Sequence, residues 1–473
     1  RVNWARQVGE RVCFGAIAPP QAQVSVRLGS RLLPLIEVSA SVDLPENSAV
    51  LTGRNTPTAR SVAGKYQACT RFTTAGSLQP QYELKLKGQT KTEAAAGQLE
   101  ILSPEPITVA TVTAPEGIAR TGPSSSYSRL TPLPQGTKAS ITGKEGDWLR
   151  LDYGAWIKAS ETTLTTAAVP PASVIRSLSS RVQGGWTEVV FPLQTPVPIN
   201  ISQATDSLTL TLYNTTAQTD TIYTGQDPVI DRLDWQQPRP GEVNYTIRFK
   251  TAQQWGFKTR YEGTSLILSL KHPPQTPKAS PLKGMKIFVD PGHGGAEDLG
   301  ARGPTGYPEK DVALKVSKLF RDELKKHGAT VIMAREGDDD LYPQDRVDRM
   351  VAAQPDLALS LHYNALPDNG DAANTRGIGI FWYHPQVHGL AQFLHDDLTQ
   401  KLKRPSYGVF WNNLALTRPS LTPALLLELG FMINPEEFEW IVDEASQIQL
   451  AKTLADSVAA WAAQATHKEF YDR

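Results

Sequence analysis

The sequence predicts a multidomain chain in which all-β modules precede an α/β three-layer domain with a mostly parallel sheet. Three observations predict it. The first 271 residues are filled with short period-two runs broken by Gly, Pro, Ser and Asn. After Gly284, helical-period segments alternate with short apolar runs. Between the two lies a linker at residues 272–283 (HPPQTPKASPLK), where four prolines in twelve residues forbid a regular element.

Length and charge sharpen the division. At 473 residues the chain is too long for one ordinary domain, and 40% hydrophobic residues can supply several cores. No run approaches 18 apolar residues, so no membrane span is expected. The net charge of zero conceals an asymmetry: residues 1–283 carry 29 Lys+Arg against 21 Asp+Glu, and residues 284–473 carry 19 against 27. All eight histidines lie at or after His272, and both cysteines at or before Cys69. No basic helix or aromatic–basic interleaving is present, so nucleic acid is set aside as a partner. The chain opens at Arg1 without an apolar leader, which reads as an exported product of the periplasm or cell envelope. In that setting Cys13 and Cys69 read as one structural disulfide, with two small buried hydrophobes as the other reading.

Taken in order, residues 1–105 read as a β-sandwich of unknown role, with period-two runs at 23–28 and 81–87. Residues 106–166 contain Ala119-Arg120-Thr121-Gly122-Pro123-Ser124, Leu133-Pro134-Gln135-Gly136-Thr137, Gly146-Asp147-Trp148-Leu149-Arg150-Leu151 and Ala155-Trp156-Ile157. The Gly-Pro and Gln-Gly-Thr turns close hairpins, while Trp148 and Trp156 supply core or groove surface. This segment resembles a bacterial SH3-type (SH3b) barrel. Residues 170–271 alternate at 207–213 and 243–249 and close with Trp255-Gly256-Phe257, Tyr261-Glu262-Gly263 and the run 266–270. They are similar to the AMIN targeting domain of wall amidases. The basic balance of this half is a candidate for contact with an anionic wall polymer.

The α/β domain is placed at 284–466. An apolar strand at 285–290 runs into Asp290-Pro291-Gly292-His293-Gly294-Gly295, a glycine-wrapped His on an open loop. Tyr307-Pro308-Glu309-Lys310-Asp311 opens a long helix, where Glu309 alone would read as a carboxylate favoured by the helix dipole. A buried strand at 357–361 ends in His362-Tyr363-Asn364-Ala365. Residues past the ends of different strands of such a sheet converge on one crevice. Two imidazoles and a carboxylate there make the donor set of one catalytic Zn²⁺, so His293, Glu309 and His362 are the metal candidates. Asp290 and Asn364 are candidates to orient the imidazoles, unless either caps a turn. In Ala424-Leu425-Leu426-Leu427-Glu428-Leu429-Gly430-Phe431 a carboxylate sits inside an apolar strand, a costly place unless it is paired or used. A salt bridge to Arg418 would be the structural explanation; general acid/base catalysis is the functional one, with burial raising the pKa.

These four motifs, with Ser360-Leu361 before His362, stand in the order found in zinc-dependent N-acetylmuramoyl-L-alanine amidases of the Amidase_3 type, and residues 285–464 are identified as resembling that catalytic domain. The resemblance implies that His293, Glu309 and His362 hold zinc and that Glu428 is the catalytic acid/base. It implies hydrolysis of the bond between N-acetylmuramic acid and the L-alanine of the stem peptide by zinc-activated water, with peptidoglycan as substrate. Two departures stand out: Ala334-Arg335 where the family has Thr-Arg, and Ala296-Glu297-Asp298-Leu299 one residue longer than the common form, which leaves the role of Asp298 open. The run from residue 377 through His388 leaves no room for the occluding helical insert of some members, so an open site is expected. His384, His388 and His395 read as surface histidines, with a second metal as the sharper alternative. The competing functional readings are a zinc peptidase acting within the stem peptide and a catalytically inactive wall-binding scaffold.

Overall fold

The computed structural model describes residues 2–38, 41–43, 58–60, 64–367 and 370–466. Part of the predicted sandwich, within 39–63, therefore lies outside the described residues, as do residues 467–473.

Alternation dictates the first unit. Arg11–Ile17 and Gln23–Leu28 turn Val12, Phe14, Val24, Val26 and Leu28 inward and their polar neighbours outward. These strands belong to a six-stranded sheet that also holds Arg31–Val38, Lys65–Arg71, Gln81–Leu86 and Gln89–Ala94. Cys13 and Cys69 stand opposite one another on neighbouring antiparallel strands, 4.0 Å apart at Cα, and are joined as a disulfide. Closing a loop of 56 residues in this way stabilises the fold by ~2–4 kcal/mol. Strand Trp4–Gln7 pairs with Leu99–Leu102 on one side and with Lys138–Glu145 on the other, so the first two predicted modules share a sheet. Residues 173–271 form a five-stranded and a four-stranded sheet around one core that includes Phe191, Leu210, Tyr245 and Leu268.

The α/β domain is built from β1 (Lys286–Pro291), α1 (Glu309–Lys326), β2 (Thr330–Met333), α2 (Pro343–Ala353), β3 (Leu357–Asn364), β4 (Ile378–Trp382), α3 (His388–Leu402), β5 (Ser406–Trp411), β6 (Ala424–Phe431), α4 (Pro435–Val442) and α5 (Glu444–Ala465). The sheet order is β2-β1-β3-β6-β4-β5. It is mixed: β4 runs antiparallel to β6, and the other four pairings are parallel. Ile287, Val289, Leu359, Leu361 and Leu427 meet α1, α3 and α5 on one face. Phe288, Ala358 and Ala424 meet α2 on the other, which gives three layers. From β4 to α3 the chain makes only the 3-10 turn Pro385–Val387. No described helix is long and apolar enough to cross a membrane.

One aromatic side chain of the β module enters the core beyond the predicted boundary. Trp255, from the β module, is 1% exposed inside the core of the α/β domain, its ring 5.6 Å from that of Trp461. The neighbouring Phe257 N–H donates to Ser420 O (2.8 Å), and Ser420 Oγ donates back to Phe257 O (2.9 Å). Gly256 lies so close to the backbone that a Cβ there would fall 2.2 Å from Leu421 O.

Candidate metal centre and active site

The C-terminal ends of β1 and β3 and the first residue of α1 deliver the three donors to one place. Their ligating atoms all lie within 4.8 Å of one another, and among the described residues they are the group that could hold a metal ion. His293 Nε2 lies 3.1 Å from Glu309 Oε2, and His362 Nδ1 lies 3.1 Å from Glu309 Oε1. The approach needs small neighbours. A Cβ on Gly292 would stand 2.5 Å from the His362 ring, and one on Gly300, whose φ is +68°, would stand 2.5 Å from Glu309 Oε2.

Glu309 is buried, yet its carboxylate accepts the Tyr363 N–H (2.9 Å) and the Ala301 N–H (2.8 Å), at the positive end of α1. Burial alone would raise its pKa; the two imidazoles hold it well below the usual carboxylate range. The helix-dipole and metal-ligand readings of Glu309 therefore describe the same placement. His293 answers in the opposite direction. Burial would lower it, but the Glu309 and Asp298 carboxylates bring it up to about 9. A metal ion must displace that proton. The side chains of His293 and His362 are 26% and 16% exposed, so the cluster opens to solvent.

Asp298 Oδ1 lies 2.5 Å from His293 Nδ1. This is the carboxylate–imidazole contact that fixes a ligand's tautomer and aims its other nitrogen. Asp298→Ala is expected to weaken metal binding by about 10–100-fold, measured by chelator competition, with little change in melting temperature. Unchanged affinity would reduce Asp298 to a loop residue.

β6 runs parallel to β3 in a register that sets Glu428 beside His362. Its side chain is buried, and Oε2 has no hydrogen-bond partner among the described residues. Burial first, and then the Glu309 carboxylate, push its pKa well above the usual value, against a smaller opposing effect of His293. A divalent cation at the neighbouring donors would favour the ionised form, so the donors and the orphaned oxygen fit the same missing charge.

All four residues fall within 287–460, the segment that matches the Amidase_3 family model, described as N-acetylmuramoyl-L-alanine amidase. Residues 287–460 belong to this family. Over 185 residues the chain is 34% identical to the probable cell wall amidase LytH of Staphylococcus aureus, a match covering 39% of this chain and 60% of LytH. Among solved structures, an N-acetylmuramoyl-L-alanine amidase of Clostridium difficile 630 is 31% identical, covering 37% of this chain and 96% of that one, at a TM-score of 0.35. The AmiC2 amidase of Nostoc punctiforme is 26% identical, covering 40% and 98%, at a TM-score of 0.36.

Other residues singled out in the sequence take different places in the amidase domain. Asp290 is not turned to an imidazole: it accepts from Arg346 Nη1 and Ser360 Oγ, both at 2.6 Å. Asn364 Oδ1 caps the Ala365 N–H, while its buried Nδ2 has no partner among the described residues. Arg418 is brought neither to Glu428 nor to the donors. Its carbonyl accepts from His384 at the other end of β6, where β4 terminates. His384, His388 and His395 do not converge: His384 is tied to Arg418 O, His388 packs on Trp382, and His395 meets Ser406 and Asp396. Two arginines brace the site: Arg335, seen in the sequence only as part of a family departure, and Arg346, which sequence reasoning missed. Arg335 donates to the carbonyls of Pro291, Gly292 and Lys310, and Arg346 donates to those of Pro291 and His293. A cation closing the short apolar run 330–334 was the available signal for Arg335; Arg346 left none.

Proposed function

We propose that the chain is a zinc-dependent N-acetylmuramoyl-L-alanine amidase of the cell envelope, cleaving the bond between N-acetylmuramic acid and the L-alanine of the stem peptide. The observation that carries this reading is Glu428, buried, with its Oε2 unpartnered among the described residues, on the strand beside a His293–Glu309–His362 cluster. Zinc suits two imidazoles and a carboxylate, and when bound it supplies polarisation of the scissile carbonyl and a water that ionises near neutral pH. The rest belongs to side chains. Asp298 holds His293 in the tautomer whose Nε2 faces Glu309. Arg335 and Arg346 keep the carbonyls of the 291–293 loop in place. Glu428 takes a proton from the attacking water and passes it to the alanine nitrogen as the C–N bond breaks, a role suited to a carboxyl group of raised pKa.

The three β units, read as a sandwich, an SH3b-like barrel and an AMIN-like module, would hold the enzyme on the wall, with the basic balance of residues 1–283 favouring an anionic polymer. The short 385–387 turn and the partly exposed imidazoles support a site open without an activator. The test is digestion of purified sacculi by the full chain with mass spectrometry of the products. Intact stem peptides and peptide-free glycan are expected. Cleaved stems would replace the reading with a peptidase, and absence of any product from the metal-loaded chain would leave a scaffold.

A further inference from the structure

Outside the metal centre, one imidazole stands between a hydroxyl and a carboxylate. His395, on α3, is only 7% exposed. Its Nε2 lies 2.9 Å from Ser406 Oγ, at the start of β5, and its Nδ1 lies 3.1 Å from Asp396 Oδ1. These partners decide where the protons sit. Hydrogen bonds from Gln392 and His395 hold the Asp396 carboxyl below its usual pKa, and an ionised carboxylate can only accept. Nδ1 therefore carries the imidazole proton, Nε2 keeps its lone pair, and the Ser406 hydroxyl is the donor to it. The other histidines with described hydrogen bonds outside the metal centre lack this order. His384 Nε2 meets the Arg418 carbonyl, and His327 Nε2 meets Asp456. His272 Nε2 meets Thr187, but there the hydroxyl, not the imidazole, touches the Asp227 carboxylate.

The backbone at Ser406 adds a second feature. Ser406 pairs with Ile378 on the parallel strand β4, and the Ile378 N–H donates to Pro405 O (2.9 Å). In that register the N–H of Ser406 itself points away from β4. β5 is the last strand of the sheet, so this N–H lies on the free edge, and Ser406 is exposed there. A hydroxyl hydrogen-bonded to a base, a carboxylate behind the base and a free N–H on the same residue as the hydroxyl are the parts that acyl transfer uses.

We propose that Ser406 and His395, with Asp396 as a positioning residue, form a second hydrolytic site that cleaves O-acyl esters reaching the free edge of β5. Ser406 Oγ attacks the ester carbonyl while its proton passes to His395 Nε2, and the Ser406 N–H donates to the oxyanion. The C–O bond breaks and the alcohol leaves with the proton from Nε2. A water then attacks the acyl-serine, giving one proton to Nε2, and Ser406 regains a proton from Nε2 as the carboxylic acid departs. One N–H is a sparse oxyanion site, which suits esters over amides, whose nitrogen leaves less readily. The site is separate from the metal centre. Ser406 pairs with Ile378, which lies in the core under α1, α3 and α5, whereas Glu428 alternates with Leu427 and Leu429 of that core and faces the other side of the sheet. It uses none of the metal donors, so the proposal stands or falls apart from the amidase reading.

Treatment of the full chain with a fluorophosphonate probe, which phosphonylates activated serines, tests it, with the adduct located by peptide mass spectrometry. An adduct on Ser406 is expected, together with hydrolysis of p-nitrophenyl acetate that the probe and Ser406→Ala both abolish. His395→Gln is expected to slow labelling of Ser406 by about 10²–10⁴-fold, the share of a general base. The Asp396 side chain is 64% exposed, so Asp396→Asn carries the test if the buried His395 variant misfolds. Asp396→Asn is expected to lower kcat on the ester at least about tenfold, at unchanged KM and melting temperature, because the amide no longer selects the tautomer with Nε2 free. A wild-type chain without an adduct on Ser406, or an Asp396→Asn variant that labels and turns over at the wild-type rate, overturns the proposal.

Discussion

Glutamine in place of Glu428 is expected to leave the metal content of the purified chain unchanged and to lower kcat on peptidoglycan by about 10²–10⁴-fold, the usual share of a general acid/base. Melting temperature is expected to stay the same or rise. Those three results together distinguish chemistry from structure. A buried carboxylate kept for stability has partners whose loss is costly, as Asp290 has in Arg346 and Ser360. Glu428 has an orphaned Oε2 and a pKa raised by burial and by Glu309, both of which make its ionised form a burden on the fold. Glutamine keeps the shape and removes that burden along with the proton transfer. The readouts are elemental analysis of zinc per chain, release of stem peptides from sacculi, and thermal unfolding. Retained turnover would sink the assignment of Glu428, and loss of metal would make it a ligand.

The same contrast explains what could be read from the sequence. His293, His362 and Glu428 were legible because each breaks a local rule: a histidine among glycines past a strand, a second histidine at a strand end, a carboxylate in an apolar run; Glu309, ordinary at a helix start, was legible only beside them. The alternation of N-terminal strands such as Arg11–Ile17 and Gln23–Leu28 was legible for the opposite reason, since it obeys the period-two rule. Orientation was not legible. Asp290 and Asp298 are both short carboxylates near His293, and only the turn of the loop decides that Asp298 reaches the imidazole while Asp290 points to Arg346. Strand β5 was missed because Gly408, at φ +138°, interrupts a six-residue run that is only half-buried. The reversed direction of β4 had a faint signal, because among the described residues no helix stands between β3 and β4 as a parallel crossover would require. The sharing of a sheet by the first two units had none, since strand partners far apart in sequence leave no periodic trace.

Truncation of Trp255 to alanine is expected to destabilise the amidase domain, although the residue belongs to the β module that precedes the proline-rich linker. Removing a fully buried tryptophan costs about 3–5 kcal/mol. For a domain of this size that corresponds to a drop in melting temperature on the order of 10 °C. Its indole N–H is buried without a partner among the described residues, so Trp255→Phe, which keeps an aromatic ring and removes the orphaned donor, is expected to cost far less. Thermal unfolding of the full chain, followed together with zinc retention, checks both variants; an alanine variant that melts with the wild type would show that the core closes without the indole. The contact also bears on catalysis. Phe257 pairs with Ser420 in the segment that feeds directly into β6, and β6 carries Glu428. A module tied to that segment by a buried ring and two hydrogen bonds cannot swing independently, so its position relative to Glu428 is set by this contact.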